Sequence, residues 1–238
     1  MATSLGHYPR ADRWEFDETV TAVFDDMLAR SIPDLAGMRR IVTEVAGRFV
    51  VPRTDIVDLG ASKGDAVAPL ISRFGALNRF HLVECSDPMA DALEARFSGY
   101  ITGGVAQVHR RDLREFYPPA EASVTLAVLT LMFVPINYRH RILDAIYEHT
   151  RPGGCLLLVE KILGADAHTD ELIQGWYRDF KLGNGYSHDE VERKRLALEG
   201  VQVPVTAAWN EDALRAAGFA SVERIWQHMN FAGWVAIK

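Results

Sequence analysis

The sequence predicts an α/β domain built on a mostly parallel, doubly wound sheet, and three observations predict it. Short apolar runs alternate with amphipathic stretches between residues 55 and 160. A Gly-rich turn, Asp58-Leu59-Gly60-Ala61-Ser62-Lys63-Gly64, follows the first of those runs. The chain closes on two β-rich runs joined by a tight turn, the pattern of an antiparallel hairpin.

In chain order, residues 16–30 place Val20, Val23, Phe24, Met27 and Leu28 at helical spacing and stop at Ile32-Pro33. Residues 38–49 repeat the pattern with Ile41, Val42, Val45 and Ala46. Both precede every strand, so residues 1–50 are expected to form a helical N-terminal cap. Strands are expected at 56–59, 80–84, 105–108, 124–128 and 155–159, with helices over 65–74, 88–98 and 137–149 between them. Such repetition puts ligands at the carboxyl ends of the strands. Residues 165–205 read as polar and helical, broken by Gly183-Asn184-Gly185, and are expected to cover the site as an insertion or lid. A helix from Asp212 and strands at 222–227 and 231–237 complete a seven-stranded sheet with a C-terminal antiparallel hairpin. The whole of 1–238 reads as one domain.

The composition, 48% hydrophobic and 24% charged over 238 residues, is that of a globular protein with a substantial core. A net charge of -6 argues against direct nucleic-acid binding through the field of the whole chain. Cys85 and Cys155 lie in apolar runs without C-x-x-C pairing or zinc-type His spacing. No metal site is therefore expected, and the thiols read as those of a cytoplasmic protein. The first ten residues hold no apolar signal run and no stretch reaches 18 apolar residues. Neither secretion nor a membrane span is expected.

The chemistry gathers at the Gly-rich turn, where residues without a Cβ let a ligand approach the backbone. The turn is not G-x-G-x-x-G, and it lacks the Lys-Ser/Thr ending of a phosphate-binding loop. It resembles the D-L-G-x-x-x-G signature of S-adenosylmethionine (SAM)-dependent enzymes, which makes Asp58, Gly60, Ala61, Ser62 and Gly64 candidate ligand residues. An ordinary strand-to-helix turn with packing glycines is the other reading. Glu84 closes the second strand, where an acid can accept from both ribose hydroxyls. Asp112 follows the third strand and reads either as an adenine contact or as a surface turn residue. His81, His109 and His149 fall in or beside strands and helices and are assigned no role. Trp176, Tyr177, Phe180 and Tyr186 read equally as the wall of an aromatic-substrate pocket and as core.

Four segments carry a narrower resemblance. They are Phe16-Asp17-Glu18-Thr19-Val20 with Val23-Phe24-Asp25-Asp26-Met27 and Arg30-Ser31-Ile32-Pro33; Asp58 to Ser62; Asp179-Phe180-Lys181 with Asn184-Gly185-Tyr186-Ser187 and Lys194-Arg195; and Asn230-Phe231 with Val235 to Lys238. On these the sequence is similar to the bacterial carboxy-S-adenosylmethionine synthase family over most of its length. The resemblance implies a Rossmann-like class I SAM-dependent methyltransferase fold, SAM or carboxy-SAM as the bound group, and a homodimer. It also implies a reaction in which SAM and prephenate become carboxy-SAM and phenylpyruvate, for a separate enzyme that modifies the wobble uridine of tRNA. By the same resemblance Gly60, Ala61, Ser62, Glu84, Cys85, Asp112 and Leu113 contact the ligand, and Arg195 pairs with the added carboxylate. In sequence terms Arg195 also reads as a solvated position in Glu192-Arg193-Lys194-Arg195. The chain departs from the family pattern at Leu35, Val128, Ala61 and Cys85, which stand for Tyr, Asn, Cys and Asn.

Two other classes fit the same residues. A SAM-dependent methyltransferase acting on a small molecule or on tRNA needs only in-line geometry and a shielded pocket. A non-catalytic subunit of this fold is the third, favoured by Leu35 and Val128 and opposed by Asp58, Gly60, Glu84 and Asp112.

Overall fold

The computed structural model describes residues 14–238. The first 13 residues of the expected cap, and with them the stretch scanned for a leader, lie outside the described residues. Helices α1 (Glu18–Ser31) and α2 (Leu35–Phe49) come first, followed by β1 (Asp55–Leu59), α3 (Ala68–Phe74), β2 (Arg79–Val83), α4 (Asp87–Thr102) and β3 (Ala106–His109). Then come β4 (Ala122–Val128), a 3-10 turn at Leu131–Phe133, α5 (Ile136–His149) and β5 (Thr150–Leu163). The chain ends with α6 (Ala167–Gly183), α7 (His188–Leu198), β6 (Val205–Thr206), α8 (Ala207–Ala216), β7 (Ser221–His228) and β8 (Phe231–Ile237).

The strands run β3-β2-β1-β4-β5-β8-β7 across the sheet. The first five are parallel, and β8 turns back antiparallel to both β5 and β7. Order reverses between β1 and β4, so the crevice of an open α/β sheet falls at their carboxyl ends. Strand alternation divides the core: Ile56, Leu82, Leu126 and Leu157 meet α2, α3 and α4 on one face. Val57, Leu59, Leu156 and Leu158 meet α5 and α8 on the other.

Three boundaries differ from expectation. The helix expected from residue 65 starts at Ala68, because positive φ at Ser62 and Gly64 delays it and Pro69 then suits its first turn. β5 starts at Thr150 rather than residue 155, since the C-terminal residue holds the Arg151-Pro152-Gly153-Gly154 stretch extended. There Gly153 N donates to Lys238 O at 2.9 Å and Lys238 N to Gly154 O at 3.1 Å. Short β6 pairs with the end of β5 and adds an eighth strand to the seven expected.

Helix α1 interlocks with α6 and the turn that follows it beside the crevice. Tyr177 Oη donates to Ser31 O at 2.9 Å, Asn184 Nδ2 donates to Arg30 O at 3.2 Å, and Ser31 Oγ meets Tyr186 Oη at 3.1 Å. Trp14, Phe16, Phe24 and Phe133 form an edge-to-face aromatic cluster beside them. No helix among the described residues is long and apolar enough to cross a membrane.

Candidate functional site

β1 delivers the chain to the crevice and the Gly-rich turn bends it away. Gly60 has φ +69°, and a Cβ there would meet Thr130, whose hydroxyl is fixed on Leu59 O at 2.9 Å. Gly60 N and Ala61 N both donate to Val83 O, at 2.9 and 3.0 Å, which ties the turn to the end of β2. Glycine at position 60 is thus required by backbone conformation and by Thr130, before any ligand is considered. Gly64, φ +82°, packs against Phe97 and Leu93 and does not line the crevice.

The crevice has two lobes that share Phe16, Gly60, Ser62, Leu129 and Phe133. Asp58, Ala61, Leu35, Val128, Lys161, Tyr177, Lys181, Lys194 and Arg195 line the first. Glu84, Cys85, Asp112, Leu113 and Arg114 line the second. Every ligand residue expected from the sequence except Gly64 therefore faces one or other lobe.

Electrostatics distinguishes the two ends. Asp58 is buried, and its Oδ2 has no hydrogen-bond partner among the described residues. Burial and the nearby Glu84 push its carboxyl up to about 7. Glu84 is also buried and spans two turns, its oxygens accepting from Ser62 N and Ser86 N at 2.8 Å each. Burial raises its pKa, and those amides oppose the rise. Asp112 is chelated by the Arg114 guanidinium at 2.6 to 3.0 Å, which holds its carboxyl below the usual range. The Cys85 thiol is pushed up to about 11 by desolvation and Glu84, so it stays protonated at neutral pH. No group of three or more His, Cys, Asp or Glu residues suited to a metal ion occurs among the described residues.

Arg195 stands at the rim of the first lobe, exposed, with Glu192 accepting from its Nη2 at 2.7 Å and the Glu199 carboxylate 3.8 Å from its Nη1. Tyr177 and Tyr186 are buried in the interlock, whereas Trp176 is exposed. Three lysines complete the first lobe and were not singled out by spacing in the sequence. Lys161 comes from β5, Lys181 from α6 and Lys194 from α7, so only the folded chain unites them. Another unforeseen pair lies behind the wall. Glu160 is buried and accepts from Leu131 N at 2.9 Å, while buried Arg139 donates to Val134 O at 2.9 Å and Val203 O at 2.6 Å. Together they fix the 131–134 segment that borders both lobes.

A sheet of this order with a Gly-rich turn at the β1/β4 switch defines the SAM-dependent methyltransferase fold. A family model described as a methyltransferase domain matches residues 56–154. An O-methyltransferase family protein from Burkholderia thailandensis superposes with a TM-score of 0.64 at 17% identity, covering 94% of this chain and 60% of that one. Human N-acetylserotonin methyltransferase in complex with SAM gives 0.61 at 17%, covering 93% and 55%. The chain thus spans less than two thirds of these solved structures, and at such identity they speak for the fold alone. A carboxy-S-adenosyl-L-methionine synthase from Methylococcus capsulatus is 37% identical over 228 residues, 95% of this chain and 94% of the relative. One from Klebsiella pneumoniae is 35% identical over 228 residues, 94% and 91%. The chain belongs to the carboxy-S-adenosyl-L-methionine synthase family.

Proposed function

We propose that the chain uses SAM and prephenate to make carboxy-SAM and phenylpyruvate in this two-lobed crevice. The residues fit SAM. Glu84 and Asp112 in the second lobe suit its ribose and adenine, with Cys85 and Leu113 beside them. Gly60, Ala61 and Ser62 sit at the junction, and the unpartnered oxygen of Asp58 suits the ammonium of its methionine part. When bound, SAM supplies a sulfonium whose charge acidifies the attached methyl carbon. With prephenate the balance is carboxy-SAM, phenylpyruvate and water, the CO2 lost by prephenate becoming the new carboxylate.

The residues of the chain bind, orient and shield. α1, α6 and α7 act as cap and lid over one catalytic domain, and their aromatic cluster excludes water from the first lobe. Arg195 receives the added carboxylate, a role suited to a permanently charged planar fork. One observation carries this reading: Arg195 on the lid and Gly60 at the turn line the same cavity. We read the protein as a cytoplasmic homodimer supplying an enzyme of tRNA wobble modification. The net charge of -6 supports the view that it makes no direct nucleic-acid contact itself.

A test is to incubate the protein with SAM and prephenate and follow carboxy-SAM and phenylpyruvate by mass spectrometry. Formation of both supports the synthase. Methylation of an added acceptor with no phenylpyruvate would replace it with the methyltransferase reading, which the apolar Leu35 and Val128 in the first lobe favour.

A further inference from the structure

We propose that Lys161, Lys181 and Lys194 form the site for the two carboxylates of the second substrate, with Tyr177 as a platform between the first two. The proposal rests on reading the crevice as one that consumes a dianion beside SAM.

Three cations converge on one partly buried lobe; Asp170 and Glu192 favour the charges of Lys161 and Lys181 only from a distance, and Lys194 meets repelling charges alone. None has a carboxylate within 4.0 Å among the described residues, unlike Arg39, Lys63 and Arg195, which line the same lobe and are each paired. Lys194 Nζ donates to Ser31 Oγ at 2.8 Å, and Lys161 Nζ to Gln202 Oε1 at 3.3 Å. Lys161 and Lys181 lie over the Tyr177 ring, 5.1 and 4.5 Å from its centre, and Lys194 lies over Trp14 and Tyr186. Neutral acceptors and ring faces compensate a desolvated ammonium only in part. Burial pushes Lys161 down to about 8 against the pull of Asp170, and burial with the repulsion of neighbouring cations pushes Lys181 down to about 8 and Lys194 down to about 7.

Such a cluster is costly unless an anion completes it. SAM does not supply the missing charge, because its α-ammonium sits beside its own carboxylate. A dicarboxylate does. The Tyr177 ring is immobilised by its hydroxyl bond to Ser31 O at 2.9 Å, so Lys161 and Lys181 share one fixed platform, suited to one carboxylate. Lys194, held from another helix, suits the second. Phe24, Met27, Ile32 and Leu35 supply an apolar wall for a cyclic body between them.

The test uses Lys161→Met, Lys181→Met and Lys194→Met in the full chain, with prephenate, phenylpyruvate and SAM as titrants in calorimetry and prephenate turnover alongside. Each substitution should weaken prephenate binding by about 10- to 100-fold, the scale of a charge-assisted bond, and raise its KM alike. SAM affinity should stay unchanged, and phenylpyruvate, with one carboxylate, should lose less at one of the two subsites. Lys181→Arg, which keeps the charge, should retain most of the affinity and guards against a folding artefact. Unchanged prephenate binding in the folded variants, equal loss for SAM, or no prephenate binding by the wild type would each overturn the site. Wild-type turnover with an unaltered KM in all three variants would keep the reaction and remove this site. Lysine-dependent prephenate binding without phenylpyruvate production would keep the site and remove the reaction.

Discussion

Asp58, next to last in β1, has a carboxylate oxygen that meets no donor among the described residues, and Glu84, just after β2, has both oxygens already engaged by backbone amides. The two acids therefore differ in what they can offer a ligand. Glu84 holds the turn and, on the proposed reading, accepts from a ribose with its remaining lone pairs, so its replacement should disturb both. Glu84→Gln places an amide N–H against Ser62 N or Ser86 N and should weaken SAM binding by about 1–3 kcal/mol, the cost of unpaired buried groups. Calorimetry giving wild-type affinity in a folded variant would separate Glu84 from the ribose. Arg195 presents the opposite case, because it is exposed and paired with Glu192, and on the proposed reading it exchanges that partner for the ligand carboxylate. That exchange discounts its contribution. Arg195→Ala should lower carboxy-SAM affinity by roughly tenfold and leave SAM affinity near wild type. Equal losses for both in paired titrations would argue that Arg195 only decorates the helix.

At the scale of elements, the segment after β4 is positioned by a buried acid that nothing in the local sequence announces. Glu160 lies inside a strand that reads as apolar, and its function depends on Leu131, 29 positions away in the chain. By contrast the Asp58 to Gly64 turn is a contiguous motif, and Glu84 follows from the regular βα spacing. Those are legible because local spacing carries them; Lys181 and Lys194 stand in the sequence only as members of the resembling segments, and Lys161 not at all, because β5, α6 and α7 meet only through tertiary packing. The start of α3 was misplaced for a related reason, since the helical pattern does not reveal that Ser62 adopts φ +49°. Burial pushes the Glu160 carboxyl up to about 8, above its unfolded value. The stability it contributes is present below the unfolded pKa and is lost as pH rises toward 8. Glu160→Gln can still accept from Leu131 N and never ionises. Its stability relative to wild type should therefore climb from about pH 5 to pH 8 and level off above, in denaturant titrations across that range. A difference that stays flat would mean Glu160 is charged at neutral pH.

On the scale of the whole molecule, the crevice gathers Lys161, Lys181 and Lys194 in its first lobe and Glu84 and Asp112 in its second. The lysine end is the one that should be strained without ligand. Lys194 faces Lys181, Lys161 and Arg30 as repelling charges, with Ser31, Trp14 and Tyr186 as its contacts. Its folded pKa, pushed down to about 7, lies below the 10.5 of an ordinary lysine. Between those values the unfolded chain binds more protons than the folded one, so stability rises with pH. The penalty is fully present at pH 7 and below. Lys194→Met should consequently stabilise the ligand-free protein most near pH 7, and the gain should shrink as pH is raised toward 10. A saturating dianion should reverse this by holding Lys194 protonated, making wild type the more stable of the two near pH 7 and flattening the pH dependence of the difference up to pH 9.5. Urea titrations at 25 °C, with and without prephenate, at pH 7, 8.5 and 9.5, check both halves. If Lys194→Met destabilises the ligand-free protein equally at every pH, Lys194 is a packing residue and its charge carries no strain for a substrate to relieve.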